Sequence, residues 1–188
     1  MVRDPPRARG NELSGEGQPA SGPAPLIVTA ELPQALQSRA DQLRKAHFPP
    51  ERNFLSAHVT LLHALPPSVE DEVCDALAEE ARAAPAPARL EGLMNLGRGT
   101  ALRLSSPAML ALRERLADRF HGLLTPQDMH APRLHVTIQN KVSPFAAKAL
   151  QAELSGQIEP RDFAFAGLAL HRYRGGPWEF AKRWSFRG

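Results

Sequence analysis

Apolar and polar positions switch between two periods along this chain, and the switches mark its elements. Residues 26–30, Leu-Ile-Val-Thr-Ala, form a short apolar run that reads as a buried strand. Pro33 then opens a helix with Leu36, Ala40 and Leu43 on one face. Residues 55–65 read as a strand. Ser68, with Asp71 three residues on, forms a capping-box signal for a helix that buries Val73, Leu77 and Ala81. The Pro85-Ala86-Pro87 break ends that helix, and strands follow at 89–96 and 100–104 around the turn Gly97-Arg98-Gly99.

The order then recurs. Ser106-Pro107 is a cap followed by proline at the first helical position, ahead of a stripe of Met109, Leu112, Leu116 and Phe120. A strand is predicted at 134–142. Ser143-Pro144 opens a helix with Ala147, Leu150 and Leu154 inward. A long strand over 163–173, the turn Arg174-Gly175-Gly176-Pro177 and an edge strand over 178–186 close the chain. Pro33 and Pro107 open corresponding helices 74 residues apart. Such self-similarity predicts an α/β (α+β) fold with two lobes related by a pseudo-twofold axis. Each lobe carries a small, mostly antiparallel sheet with flanking helices, and a cleft lies between them.

Residues 1–24 stand apart. They are rich in Pro, Gly, Ser and Arg, lack periodicity, and hold too little apolar surface to offset their ordering entropy. A disordered tail is expected there, followed by one two-lobed domain over 25–188.

The repeat gains chemical meaning from what its equivalent strands carry. His58-Val59-Thr60-Leu61 is matched 77 residues later by His135-Val136-Thr137-Ile138. Side chains alternate across a strand, so His and Thr at i and i+2 share one face and the apolar residues take the other. Each lobe therefore presents an imidazole and a hydroxyl to the cleft. Displacement at phosphorus needs attacking and leaving oxygens on opposite sides of the phosphate. Two facing imidazoles, titrating near neutrality, can take one proton and give another. Threonine hydroxyls can donate to the non-bridging oxygens. A lone histidine beside apolar residues is usually a hydrogen-bonded structural one, but repetition at matched positions favours function.

Two His-x-Thr-hydrophobic motifs in a duplicated chain of this size resemble the two-histidine phosphoesterase superfamily, and within it the bacterial 2′-5′ RNA ligase or cyclic phosphodiesterase branch. The likeness spans roughly residues 26–186. It implies that His58 and His135 are an acid–base pair, that Thr60 and Thr137 bind phosphate, and that neither metal nor ATP is needed. It implies a substrate with a 2′,3′-cyclic phosphate or 2′-5′ phosphodiester, either an RNA end or a nucleotide. Members often carry an Arg two positions after the motif; here the motifs run on as Leu62-His63 and Gln139-Asn140-Lys141. The cation is then to be sought in Lys141, Arg133 or Arg98.

Other residues carry weaker signals. Phe54, Tyr173 and Trp178 can stack on a base or pack in the core. Arg172 and Arg174 flank Tyr173 near the Gly-Gly turn, a candidate substrate rim. His58, His63, His130 and His135 suggest zinc, but a regular strand sends positions i and i+5 to opposite faces, and no Cys or acidic residue joins them at ligand spacing. His63 and His130 are read as loop or surface residues near the cleft. Cys74, among acidic neighbours, is read as unreactive.

Composition bounds the rest. Of 188 residues, 43% are hydrophobic and 23% charged, as in ordinary globular proteins. The formal charge of +3 leans weakly towards an anionic partner. No apolar run is long enough for a membrane span, and no apolar leader opens the chain. With one cysteine and no internal disulfide, the cytoplasm is the expected compartment. Nothing demands a dimer, so a monomer is expected. The rival reading is a non-catalytic module of the same fold that holds a nucleotide or RNA end. A plain interaction protein using the basic C-terminal face ranks below both.

Overall fold

The computed structural model describes residues 24–188, so the expected N-terminal tail lies outside the described residues, save for Ala24. The first half contains β1 (Leu26–Glu31), α1 (Gln34–His47), β2 (Val59–Leu65), α2 (Glu70–Glu80) and β3 (Pro87–Asn95). The second contains β4 (Thr100–Ser105), α3 (Pro107–Arg119), β5 (His135–Gln139), α4 (Pro144–Leu154), β6 (Arg161–Ala164), β7 (Gly167–Arg172) and β8 (Glu179–Ser185). They make an α+β fold with two four-stranded sheets, ordered β2-β1-β7-β8 and β5-β4-β3-β6, antiparallel throughout.

The halves do not each build their own sheet. β3 pairs with β4 of the second half, and β7 returns to pair with β1 of the first. This exchange splits the single strand expected over 163–173 into β6 and β7. Phe165, fully buried, anchors the crossing; its N–H donates to Ala86 O, and that of Ala166 donates to Glu31 O, one contact for each sheet. One hydrophobic cluster runs from Leu26, Val28 and Leu61 to Leu102, Val136 and Ile138, so both sheets share a continuous core.

The helix starts separate sound signals from misleading ones. Ser106 Oγ accepts from Met109 N, and Ser143 Oγ accepts from Ala146 N, each at 3.1 Å. These bonds satisfy amide groups that the helix cannot satisfy internally. Ser68 makes no such cap. It sits inside a 3₁₀ turn, Pro67–Val69, and α2 starts only at Glu70, with no side-chain cap. Glu70, Asp71 and Glu72 instead place negative charge in the first turn of α2, at the positive end of its dipole.

Both motif strands bulge just after their threonine. In β2, Thr60 faces Thr29 and Leu62 faces Val28, leaving Leu61 as an extra residue. In β5, Thr137 faces Ala101 and Gln139 faces Thr100, leaving Ile138 extra. A bulge of one residue returns the next side chain to the face it would otherwise leave. Leu61 and Leu62 are therefore both buried, as are Ile138 and Gln139, while His63 and Asn140 turn outward.

Candidate active site

His58 directly precedes β2, and His135 is the first residue of β5. His58 Nδ1 lies 2.8 Å from Ser56 O, and His135 Nδ1 lies 2.7 Å from Arg133 O. A carbonyl only accepts, so each Nδ1 carries the proton and donates it. Each neutral ring is thus fixed as the tautomer whose Nε2 has a free lone pair. Both rings, with Thr60 and Thr137, line one cleft of about 670 Å³. That volume lies in the range of small-ligand sites.

A second pocket of about 660 Å³ adjoins the first, sharing His58 and Trp178 in its wall. Phe54, His171 and Phe180 supply its aromatic lining. Trp178, just before β8, tilts over His58 with ring centroids 4.5 Å apart, and its ring lies 5.6 Å from that of His171. Burial holds the His58 imidazole down, from its ordinary 6.5 to about 4. The bond to Ser56 opposes that shift, whereas the Arg44 guanidinium and repulsion from the His171 and His135 rings reinforce it.

Two buried arginines tie the motif strands to the opposite half. Arg44 of α1 donates to Thr137 O at 2.7 Å, to Leu55 O at 3.2 Å and to Asn53 Oδ1 at 3.0 Å. Arg113 of α3 donates to Leu61 O, the carbonyl of the bulged residue, at 3.3 Å, and also to Asp128 O. A bulge leaves backbone groups outside the ladder, and these guanidinium groups satisfy carbonyls beside it.

The remaining predicted residues divide. Lys141 lines the cleft from a left-handed backbone position (φ 59°), and Phe54 projects at the mouth of the aromatic pocket, 65% exposed. Tyr173 and Arg174 lie in the connection after β7 and line neither pocket. Arg174 is paired with Glu179, and Arg172 with Glu70 and Glu179, so the candidate rim spends its guanidinium groups on carboxylates. Arg98, proposed as a cation, donates to Val142 O and also lies outside the lining.

His63 is a correction to the sequence reading, because it lies on β2 and lines the cleft, whereas His130 is an exposed loop residue at the cleft, as expected. Strict alternation of faces holds only in a regular strand, and the bulge at Leu61 reverses it. The consecutive apolar pair Leu61-Leu62 was the available signal. His171, Arg44 and Asp128 were missed; their roles depend on contacts from elements distant in sequence. Among the described residues, no group of three or more His, Cys, Asp or Glu side chains is arranged to hold a metal, and no helix is long and apolar enough to cross a membrane. The Cys74 thiol is pushed up by burial first, then by Glu70, Asp71 and Asp75.

Residues 32–177 match the family model described as the 2′-5′ RNA ligase superfamily, a stretch that contains both motif strands and the cleft lining except Trp178. The chain belongs to the 2′-5′ RNA ligase superfamily. Its fold is shared by solved structures of low sequence identity. The TT0787 protein of Thermus thermophilus is 20% identical at a TM-score of 0.59, over 87% of this chain and 98% of that one. E. coli LigT complexed with 3′-AMP is 19% identical at a TM-score of 0.60, over 89% of this chain and 100% of LigT. LigT complexed with NADP+ is 20% identical at a TM-score of 0.58, over 88% and 99%. Among curated proteins, no relative matches.

Proposed function

We propose that this superfamily member opens 2′,3′-cyclic phosphates, or makes and breaks 2′-5′ phosphodiesters, at RNA ends or on nucleotides, without a metal. The observation that carries the reading is the matched pair of imidazoles. Both are clamped through Nδ1 to the carbonyl two residues earlier, both line one cleft, and each has a threonine two residues on.

The chemistry starts from His58. Burial keeps His58 neutral at neutral pH, so its Nε2 is the acceptor. Water attacks phosphorus and passes a proton to His58. The bond from phosphorus to the 2′ or 3′ oxygen breaks, and His135 protonates that leaving oxygen. The product is a phosphomonoester with a free neighbouring hydroxyl. When a ribose hydroxyl replaces water, the same exchange forms a diester, and reversal swaps the roles of the two rings. The Thr60 and Thr137 hydroxyls donate to the non-bridging oxygens.

The aromatic pocket supports a nucleotide substrate, since Trp178 and Phe54 offer faces on which a base can stack. Solved LigT complexes with 3′-AMP, ATP and NADP+ agree with a nucleotide-sized ligand. A cytoplasmic, monomeric enzyme completes the reading; it rests on the single cysteine and on a cleft built from one chain.

The test incubates wild type, His58→Ala and His135→Ala with an oligonucleotide ending in a 2′,3′-cyclic phosphate, in EDTA. Wild type is expected to give one phosphomonoester isomer, and both variants almost none. Tight binding that survives in either variant, with no product from wild type, would instead establish the binding-module alternative.

A further inference from the structure

A chain of direct contacts crosses the sheet that adjoins His58. Thr60 of β2 faces Thr29 of β1, and the Thr29 hydroxyl lies 3.1 Å from His171 Nε2 of β7. Thr29 is 3% exposed, so water competes little for that bond. On the other side of β7, the register of β8 shifts by one residue: Leu170 faces Lys182, but His171 faces Phe180, leaving Ala181 extra. The bulge re-aims Phe180, which meets His171 edge-on with ring centroids 5.9 Å apart at 71°. Trp178, two residues before Phe180, lies 5.6 Å from His171 and 4.5 Å from His58.

Trp178 needs such a support. It stands in the connection between β7 and β8, directly after Gly175 (φ 82°), Gly176 and Pro177. Among the described residues, its ring pairs with His58 and His171 alone. His171 is therefore its one ring partner outside the acid–base pair. The charged groups around this stack are engaged elsewhere. Arg183 of β8 is paired with Glu31 of β1, and Glu179 with Arg172 and Arg174. Asp41 of α1 accepts from Ala57 N and Gln37 Nε2, and Arg44 of α1 donates to carbonyls and Asn53. Burial first, then Arg183, holds the His171 imidazole below its ordinary value, so an uncharged ring packs against the indole.

We infer that His171 is a positioning residue for the reaction: fixed by the Thr29 hydroxyl, its ring seats Trp178 over His58 and keeps water off that imidazole. The inference rests on the proposed function in taking His58 as the proton acceptor.

The experiment follows the His58 ring by NMR in the free protein as the pH is lowered, alongside the acid limb of turnover on a 2′,3′-cyclic phosphate. In wild type the His58 midpoint is expected near 4. His171→Ala should raise it by about one pH unit, and Trp178→Ala by at least as much. The double variant should go no further than Trp178→Ala alone, because both changes unseat the same indole. His171→Phe restores a ring without a charge and should recover most of the wild-type midpoint. An unmoved midpoint in His171→Ala overturns the inference, as do shifts that add in the double variant. A midpoint in His171→Phe as high as in His171→Ala overturns it too, since loss of charge repulsion alone would then explain the effect. If His171→Ala does not fold, Thr29→Val decides: a smaller rise upholds the seat, and none overturns it. A His58 midpoint that moves as expected while the acid limb stays in place upholds the seat and overturns His58 as the proton acceptor.

Discussion

Strands β2 and β5 are alike up to their bulges and differ in what the rest of the chain brings to them. Each has a histidine clamped by the carbonyl two residues back, a threonine two residues on, and an extra buried residue after it. Beyond that, Trp178 tilts over His58, with Arg44 and His171 near enough to disfavour its protonation. His135 meets no aromatic partner among the described residues, and its neighbours in the cleft include Arg133 and Lys141. After the bulges, the equivalent positions hold His63, pinned by a buried carboxylate, and Asn140, whose Oδ1 accepts from Lys141 N. Duplication thus sets where the two imidazoles stand, and unduplicated neighbours set what each does.

That contrast can be broken by experiment. Removing either imidazole, as His58→Ala or His135→Ala, should lower turnover of a cyclic phosphate by about 10²–10⁴-fold. A variant that keeps its rate would remove that ring from the mechanism. Arg44→Met leaves Thr137 O, Leu55 O and Asn53 Oδ1 without their donor. A loss of about 3 kcal/mol is expected in urea unfolding, since buried acceptors left unmade cost their desolvation. Gly99→Ala would put a methyl group 2.2 Å from Gln139 O and 2.8 Å from Asn140 Cα, at the end of β5. A drop of about 1–3 kcal/mol should follow from that overpacking, read as a lower thermal midpoint.

The smallest effect tests the asymmetry most directly. His58 is neutral in the folded protein down to about pH 4, whereas the unfolded chain binds that proton near 6.5. Its contribution to stability is therefore complete above pH 6.5 and declines as the pH falls towards 4. The acid limb of the rate profile should lie well below 6.5 for the same reason. Trp178→Ala lets water reach the ring and should move that limb upward, with a modest loss of rate. An unmoved limb would assign the desolvation to other neighbours.

Much of this was legible in the sequence because it depends on local pattern. The His-x-Thr repeat, the helix stripes and the Ser106 and Ser143 caps each follow from residues within a few positions of one another. The contacts that distinguish the rings do not. Trp178 reaches His58 from the connection between β7 and β8, and Arg44 reaches Thr137 from a helix in the other half. The Ser68 signal failed because a proline-led 3₁₀ turn took up that residue before α2 began. The expectation for His63 failed for a subtler reason: the extra residue at Leu61 inverts the faces that follow it, until a second register shift before Leu65 restores them.

The exchange of β3 and β7 has a temporal consequence. Until β7 is made, β1 lacks the inner neighbour that joins it to β8, so the sheet beside His58 is only the pair of β1 with β2. Pairings that span most of the chain are slow to close. The nascent chain would hold both histidines long before it held a working cleft, and a break in the 96–99 turn should yield two fragments that regain function only when recombined.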